Sequence, residues 1–514
     1  MSNSDINLAW KYHDATKHSY FSVRTTAHYL DWANMPSPFK IYPEIEPIAL
    51  PRDLIQTGAP ALDAIAASGA ETSGEAIPNL DQLASLLYYS AGITKKKSYP
   101  GGEIYFRAAA CAGALYPIEV YIVCGDIEGL EAGVYHFSPG DFALRRLREG
   151  DFRPALVRAV SECPDIAAAP VTLVYTAITW RSAWKYRDRS YRYHFWDNGV
   201  IVANALAVAA AHKLRAKVVM GFVDAQVNKL VGVDGENEFA VSLLTLGRSA
   251  QHQDGSAADG EIPALSPATV PLSHAQVDYP LIREMHRASW LATTDDVADW
   301  RVSASVAARP EPAGELFPLA QVSAERLPGD TLEEVIQRRA STRRFAREAI
   351  SFEELSEMID RATRGTAADV LAAGSQLNDV YVISNRVDGL DSGAYYFRPA
   401  DRSLELLRRG EFSDKAAYLS LDQDLGGDAS ATLFFMCDLD PVLSQLGNRG
   451  YRAAQMEAGI LGGRLYLGAY SLRRGATGLT FYDDDVTSFF SPHAAGKSCI
   501  FEVALGVPGK KPMY

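Results

Sequence analysis

Apolar and polar positions recur along this chain with two different periods, which predict helices in some stretches and buried strands in others. After Asn79, leucines fall on one face at the spacing of a helix, and Gln82 is placed to complete a capping box with Asn79. Short apolar runs bounded by turn residues predict buried strands, and a long, almost uncharged run rich in alanine predicts a buried helix. These elements are the strands 120–123, 134–137, 171–175 and 239–246 and the helix 199–214.

From residue 331 onward the pattern of the first half returns. Residues 128–137 (EGLEAGVYHF) match residues 388–397 (DGLDSGAYYF), and the same spacing relates Gly199 to Gly459. The capped helix also recurs after Ser351. Two long copies do not make a solenoid, so the repeat predicts a duplicated α+β domain whose copies pack as a pseudo-twofold dimer within one chain.

Composition divides the chain into four segments. Residues 1–75 are irregular and rich in proline and aromatic residues, which predicts an N-terminal arm. Residues 251–325 are rich in Asp, Gly, Ser, Ala and Pro, which predicts a linker or a wrapping segment, with a short helix near residues 282–290. The two copies of the domain then occupy residues 76–250 and 326–514.

The net charge and the cysteine spacing argue against several classes of binding partner. The net charge is −13 and the basic residues are interspersed with acids, which argues against a nucleic-acid footprint. Five cysteines stand far apart without metal-ligand spacing, which indicates reduced thiols. The N-terminus has no signal pattern, and the longest apolar run is too short to cross a bilayer. We therefore expect a cytoplasmic protein without a nucleic-acid, membrane or metal partner.

The two copies have diverged in a complementary way. An arginine-rich run at residues 338–345 (RRASTRRF) precedes the capped helix of the second copy only. A small-residue turn at residues 110–117 (ACAGALYP) occurs in the first copy only. A charge run is usually a solvated helix face, but guanidinium and hydroxyl groups together also suit a phosphate. One composite site between the halves explains the divergence better than two equivalent sites.

The arginine run resembles the Arg-x-Ser-x-Arg flavin-phosphate motif of the nitroreductase superfamily of FMN-dependent oxidoreductases. In that superfamily the flavin lies at a dimer interface. The first half resembles the SagB/ThcOx-type dehydrogenases, which oxidise azolines to azoles in peptide natural products. The matching features are residues 111–117, Glu119, Tyr121, residues 129–137, Trp184, Lys185, Tyr186, Tyr191, Arg192 and residues 221–224.

The resemblance implies two nitroreductase-like α+β domains, each with a mostly antiparallel sheet flanked by helices, forming an intrachain pseudo-dimer around one FMN. Ordinary turns and helix caps remain the alternative for each segment. The implied cofactor-binding residues are Arg339, Ala340, Ser341 and Arg343 for the phosphate, Cys111, Gly113, Ala114 and Leu115 against the ring from the opposite domain, and Ala476, Thr477, Gly478 and Leu479 in a turn facing the N5 edge of the flavin.

Lys185 and Tyr186 match the Lys-Tyr pair proposed as catalytic in azoline dehydrogenases. A lysine desolvated beside a flavin can act as a general base, and a tyrosine can relay a proton or hold the substrate. A solvated amphipathic helix is the competing interpretation of this segment.

The expected function is that of an FMN-dependent oxidoreductase of the SagB type, which oxidises a heterocyclic or peptide-like substrate by hydride transfer to FMN. Three alternatives stay open: an NAD(P)H-dependent nitro or quinone reductase, a non-catalytic flavin-binding protein, and a degenerate scaffold without flavin. NAD(P)H and O2 are the candidate redox partners. Because the two halves are fused in one chain, the site does not require a homodimer, although a homodimer can still form.

Overall fold

The structure is a computed structural model, and it describes residues 3–25, 28–68, 75–99, 102–255, 261–302, 311–372 and 375–509. The helices of the first half are α1 (Asn7–Ala15), α2 (Tyr20–Thr25), α3 (Ala61–Ala67), α4 (Leu80–Ala91), α5 (Arg153–Ala159), α6 (Pro164–Ala167), α7 (Thr179–Tyr186), α8 (Ser190–Ala211) and α9 (Asp224–Val231). Its strands are β1 (Pro47–Ala49), β2 (Ile93–Tyr99), β3 (Gly102–Arg107), β4 (Ile118–Cys124), β5 (Gly133–Ser138), β6 (Ala143–Glu149), β7 (Val171–Ile178), β8 (Ala216–Val219) and β9 (Glu238–Leu246).

The second half follows the same plan. Its helices are α10 (Pro280–Ala288), α11 (Thr294–Val302), α12 (Leu332–Arg338), α13 (Phe352–Ala362), α14 (Ser413–Leu419), α15 (Asp424–Asp428), α16 (Leu439–Ser471) and α17 (Asp483–Phe490). Its strands are β10 (Leu316–Pro318), β11 (Ile350–Ser351), β12 (Asn378–Ser384), β13 (Val387–Asp388), β14 (Gly393–Arg398), β15 (Ser403–Arg409), β16 (Ala431–Cys437), β17 (Gly475–Leu479) and β18 (Ser498–Gly506).

Each half is built on a seven-stranded antiparallel sheet, and the two sheets have the same strand order. In the first half the order is β1-β6-β5-β4-β7-β9-β8, and in the second it is β10-β15-β14-β12-β16-β18-β17. The central strands β4, β7, β9, β16 and β18 are buried along almost their whole length, as their apolar sequences require. The predicted duplication of an α+β domain, packed as a pseudo-dimer within one chain, is confirmed.

The two halves are joined by their long central helices. Almost every residue of α8 is buried, and so is nearly all of α16 beyond residue 446. Few of their side chains are charged, because both helices lie between the two sheets. The predicted helix 199–214 corresponds to most of α8, and the four predicted strands correspond to β4, β5, β7 and β9.

Each central helix forms a buried ion pair with the opposite half of the chain. Arg192 of α8 donates to Asp483 Oδ1 of the second half at 2.8 Å. Arg449 of α16 donates to Asp224 Oδ2 of the first half at 2.6 Å. All four side chains are at most 2% exposed, so each half carries buried charges that the other half neutralises.

The segments outside the two predicted domains also follow the duplication. Arg192 donates through Nη2 to the carbonyl of His13 at the end of α1. Arg452 donates in the same way to the carbonyl of His286 in α10, and α1 packs against α10. The helix expected near residues 282–290 is therefore present as α10, in a position equivalent to that of α1.

The capping boxes of Asn79 and Ser351 form as predicted, at the starts of α4 and α13. Residues 475–480 were expected to form a turn, but most of this segment is the edge strand β17, because its backbone pairs with β18 from Gly475 to Leu479. The β2–β3 hairpin, which precedes the small-residue turn, was not predicted from the sequence. Within the residues that the structure describes, no helix has the length and hydrophobicity needed to cross a membrane.

Candidate active site between the two halves

A cavity of about 410 Å³ opens between the two halves, within the volume range of small-molecule and cofactor sites. Its walls come from the small-residue turn, α7 and α8 of the first half, and from the arginine-rich loop, α16, β17 and β18 of the second half. The lining residues are Ala110, Cys111, Ala112, Gly113, Lys185, Tyr186, Tyr193, Trp196, Asp197, Val200, Ser341, Arg343, Gln423, Tyr466, Thr477, Gly478, Leu479, Thr480 and Phe501.

The small-residue turn forms a close-packed wall of the cavity. Gly113 has a φ of +64°, in the left-handed region that favours glycine. A Cβ at this position would lie 2.7 Å from the Tyr186 hydroxyl oxygen, so a larger residue would push into that side chain. Glycine here therefore lets the backbone approach Tyr186 and lets the turn border the cavity directly.

The opposite wall is a loop that is hydrogen-bonded to the edge strand. The Thr342 N–H donates to the carbonyl of Ala476 at 2.9 Å, which fixes the arginine-rich loop against β17. The Tyr466 hydroxyl accepts from the Gly478 N–H at 2.5 Å and lies 3.3 Å from Ser341 Oγ. Thr480 also lines this wall, and its Oγ1 is buried without a hydrogen-bond partner among the described residues.

Two cations from opposite halves line the cavity. Lys185 belongs to α7 and Arg343 to the loop after α12. In the part of the chain that the structure describes, no carboxylate forms an ion pair with either of them. Burial, and secondarily the charge of Arg343, lower the pKa of Lys185. The pair makes this region of the cavity suitable for an anion.

Arg339 has a different position from the one its motif suggests. It donates through Nε to the carbonyl of Ala108 at 3.1 Å and through Nη2 to the carbonyl of Arg107 at 2.7 Å. Both acceptors belong to the first half, at the end of β3. Arg339 therefore holds the two halves together next to the small-residue turn and does not line the cavity.

The predicted site residues fall into two groups. Nine of them line the cavity: Cys111, Gly113, Lys185, Tyr186, Ser341, Arg343, Thr477, Gly478 and Leu479. The other five do not line it: Ala114, Leu115, Arg339, Ala340 and Ala476. Leu115 packs in an apolar cluster with Trp180 and Trp184.

Sequence reasoning missed the contribution of the central helices. Tyr193, Trp196 and Asp197 of α8 and Tyr466 of α16 all line the cavity. Asp197 is an acid on a helix that is buried along nearly its whole length, and burial raises the pKa of its carboxyl to about 7. An acidic residue beside an otherwise apolar stretch was the available signal for this position.

A segment of the N-terminal arm lies beside the cavity and touches both halves. We name residues 18–25 and 28–35 the N-terminal strap. On one side Arg24 donates to Asp422 Oδ2 at 2.6 Å, next to the cavity residue Gln423. On the other side Trp184 Nε1 donates to the carbonyl of Asp31 at 3.0 Å, next to Lys185. The strap therefore connects the two halves at this edge of the site.

The pseudo-equivalent position on the other side of the molecule is closed. There β8 takes the place of β17, and Val218 forms a parallel bridge with Ala368 of the second half. Asp369 accepts from the N–H groups of Met220 at 2.8 Å and Gly221 at 2.9 Å. Because these backbone groups are already bonded to protein, the duplication leaves one open composite cavity of this kind in the described part of the chain.

Known proteins are similar to this chain either over its whole length or over about a third of it. The model of the nitroreductase family matches residues 76–248 and 336–513. A solved structure of a nitroreductase-like protein from Anabaena variabilis covers 98% of this chain and 99% of its own, with a TM-score of 0.77 and 28% identity. A nitroreductase-like protein of Methanocaldococcus jannaschii is 27% identical over 172 residues, which are 34% of this chain and 82% of that protein.

Two further relatives are named as processing proteins. The trifolitoxin-processing protein TfxB of Rhizobium leguminosarum bv. trifolii is 33% identical over 35% of this chain and 50% of its own length. The microcin B17-processing protein McbC of Escherichia coli is 31% identical over 27% of this chain and 49% of its own length. The chain thus matches about half the length of each of these two relatives. Since both of its repeats match the family model, and together they make up most of its length, this chain belongs to the nitroreductase family.

Proposed function

We propose that this chain is an FMN-dependent oxidoreductase that dehydrogenates a heterocyclic or peptide-like substrate. The observation that carries the proposal is the composite cavity, in which Arg343 and Ser341 of one half face Lys185 and the small-residue turn of the other. Family membership supports the oxidoreductase class. The cofactor and the substrate are inferred from the residues that line this cavity.

The lining residues fit the chemical groups of FMN. Arg343 has no carboxylate partner in the described residues, and with Ser341 it offers the charge and hydroxyl that a phosphate requires. Gly113 and Gly478 expose backbone on the two walls, which suits a flat ring. Arg339 would support this site indirectly, through the carbonyls before the turn.

Bound FMN would supply the hydride acceptor, and the chain would supply position and proton transfer. Burial and Arg343 lower the pKa of Lys185, which increases the fraction of neutral amine that can take a proton from the substrate. Burial raises the pKa of Tyr186, so its hydroxyl stays neutral and can donate to the substrate or pass on a proton. These roles match those expected from the Lys-Tyr pair.

The two processing proteins support a peptide-like substrate. Their names associate them with trifolitoxin and microcin B17, and their similarity covers 35% and 27% of this chain, respectively. The adjacent strap places exposed aromatic side chains next to the cavity, with Trp32 68% exposed and packed edge-on against Trp184. Such a surface suits a substrate that extends beyond the cavity.

A reductase that takes hydride from NAD(P)H is the second candidate. It is supported by the similarity to the Anabaena variabilis protein along the whole chain. NAD(P)H gives its hydride to the flavin without releasing a proton. A general base such as Lys185 would therefore be dispensable in that reaction. Full turnover by Lys185→Ala with NADPH and a quinone would favour the reductase.

The visible spectrum of the purified protein tests the proposal, together with the flavin content of two arginine variants. We expect a yellow wild-type protein, and we expect Arg343→Ala to lose most of its flavin because the phosphate loses its cation. Arg344→Ala is the matched control, since Arg344 is exposed and does not line the cavity. A colourless wild-type protein, or equal flavin retention in the two variants, would contradict the proposed site.

A further inference from the structure

The backbone between α7 and α8 turns sharply at Arg187. This residue has a φ of +51° and a ψ of −139°, which is the mirror image of an extended conformation. Glycine adopts that conformation readily, whereas a residue with a Cβ is strained in it. The turn is fixed on both sides, because the Arg187 N–H donates to the carbonyl of Ala183 and the Asp188 carbonyl accepts from the Tyr12 hydroxyl at 2.6 Å. The surrounding structure therefore holds an arginine in a strained backbone conformation.

The second half has a glycine at the equivalent position. The spacing between the two copies relates Arg187 to Gly447, where α16 has a similar kink with a φ of +63° and a ψ of −161°. The N-terminal arm covers that kink, since the Asn448 N–H donates to the carbonyl of Asn3 at 2.7 Å. A Cβ on Gly447 would lie 2.3 Å from the same oxygen. The first half thus has an arginine in a conformation for which the other copy uses glycine.

Arg187 is an exposed cation beside the cavity. It follows directly after Lys185 and Tyr186, which line the cavity. Within the described residues its guanidinium forms no ion pair or hydrogen bond, and the neighbouring Asp188 does not pair with it. Lys185 and Arg343 have no carboxylate partner either, but the proposed function uses them as the base and the phosphate ligand. Arg187 therefore remains available for the substrate.

A strained and unpaired arginine at the edge of a site indicates a ligand, because glycine would be more stable there in the absence of one. The planar guanidinium group binds a carboxylate through two parallel hydrogen bonds, which makes the contact specific as well as strong. The chain has a net charge of −13, so an acidic substrate is repelled by much of the protein. A local cation beside the cavity offsets this repulsion where the substrate enters.

We propose that Arg187 is a specificity-determining residue, which binds a carboxylate of the substrate just outside the cavity. The proposal rests on the proposed function, in which the heterocycle of the substrate lies beside Lys185 and Tyr186. Consecutive Cα atoms are about 3.8 Å apart, so a group bound by Arg187 lies close to that heterocycle. The substrate class is therefore a peptide with an acidic side chain adjacent to the heterocycle.

Binding of azole-containing peptides to the full chain tests this proposal. Such peptides correspond to the oxidised product, so they bind without turnover, and a fluorescent label reports binding through its anisotropy. One peptide carries aspartate next to the azole and the other carries asparagine. We expect the wild type to bind the aspartate peptide about threefold to tenfold more tightly. Arg187→Gly and Arg187→Ala should bind both peptides equally, and Arg187→Lys should keep part of the preference.

The urea midpoint of unfolding separates the relief of strain from the loss of charge. Arg187→Gly should raise the midpoint, whereas Arg187→Ala retains a Cβ and should not. Lys213→Gly is the matched control, because Lys213 is an exposed cation with a φ of +57° that follows α8 and does not line the cavity. This control should also raise the midpoint, but it should leave the preference for the aspartate peptide unchanged.

The outcomes separate this proposal from the proposed function. A yellow wild type that binds both peptides equally, a preference that survives in Arg187→Gly, or an unchanged midpoint in that variant would overturn the role of Arg187 alone. A colourless wild type that still prefers the aspartate peptide would contradict the proposed function and support the carboxylate site. If both peptides bind alike and Arg187→Gly instead loses a preference for NADPH over NADH in flavin reduction, Arg187 binds a phosphate of the hydride donor, which would overturn the substrate assignment.

Discussion

Gly199 and Gly459 pack against each other's helices where α8 and α16 cross. A Cβ on Gly199 would lie 2.5 Å from the carbonyl oxygen of Met456, and a Cβ on Gly459 would lie 2.5 Å from the carbonyl oxygen of Trp196. These atoms are backbone and cannot rotate away. Since Asp197 of α8 and Tyr466 of α16 both line the cavity, the close crossing also positions the two walls of the site.

Replacement of Gly459 by alanine should therefore destabilise the protein. Alanine favours a helix over glycine by about 1 kcal/mol, but the clash with backbone acts against this gain and overpacking costs about 1–3 kcal/mol. We expect Gly459→Ala to lower the free energy of unfolding by up to about 2 kcal/mol, measured by urea denaturation.

Gly468→Ala in the same helix is the control for that measurement. A Cβ there would meet nothing closer than 3.7 Å, so we expect unchanged or slightly higher stability. Equal stability of the two variants would show that the crossing tolerates a side chain.

The sequence predicted the duplication and the composite site because both depend on local patterns. Periodicity identified the central strands, and the divergence of the two copies indicated one site between them. Arg339 illustrates what local patterns miss, since its partners are carbonyls of the other half. Asp197 was missed for the same reason, because its contacts are made across the fold by residues of a distant turn.

The β17 segment shows a second limit of sequence reasoning. Glycine and threonine at residues 475–480 are typical of a turn, yet β18 supplies the backbone partners that make most of this segment an edge strand. Long-range pairing thus overrides local preference. The equivalence of α1 and α10 was equally hidden, since their sequences share little beyond the residues that hold the buried arginines.

The closed pseudo-equivalent position predicts one flavin per chain. At that position the backbone of β8 and of the residues after it is already bonded to the second half, through Asp369 and through the bridge between Val218 and Ala368. The corresponding residues of β17 line the open cavity. We expect the ratio of released flavin to protein to be about one for the wild type, measured by absorbance after denaturation.

Arg343→Ala distinguishes one flavin site from two in the same assay. With a single site the variant should lose most of its flavin, whereas a second independent site would leave about half. A ratio near two in the wild type would also contradict the closed position.

Lys185 should matter for turnover and not for flavin retention. General-base catalysis contributes about 100-fold or more to a rate, so we expect Lys185→Ala to stay yellow and to oxidise an azoline-containing peptide at least about 100-fold more slowly. Because the pKa of Lys185 is lowered, the wild-type rate should rise with pH up to that pKa and then level off. The alanine variant should lose this rise.

Lys185→Arg is the matched variant for this prediction. It keeps a positive charge facing Arg343 but cannot give up a proton at these pH values. If Lys185 only supplies charge, the arginine variant should retain activity. If it is the base, both variants should be equally slow.

Asp197 should make the stability of the protein depend on pH, even without flavin. Burial raises the pKa of its carboxyl from an ordinary 3.8 to about 7, so between these values the folded protein binds the proton more tightly than the unfolded chain. The contribution of this group is favourable at low pH and is lost as pH rises from about 4 to about 7. Asp197→Asn removes that dependence.

The stability of Asp197→Asn relative to the wild type should therefore increase with pH. The difference should grow by about 1 kcal/mol per pH unit across this window and then level off above about pH 7, measured by urea denaturation in a series of buffers. Any fixed cost of the asparagine shifts all values equally and leaves the slope unchanged. Cys111→Ala retains the carboxyl, so its slope should follow the wild type. Parallel curves for Asp197→Asn and the wild type would show that this carboxyl ionises as readily in the folded protein as in the unfolded chain.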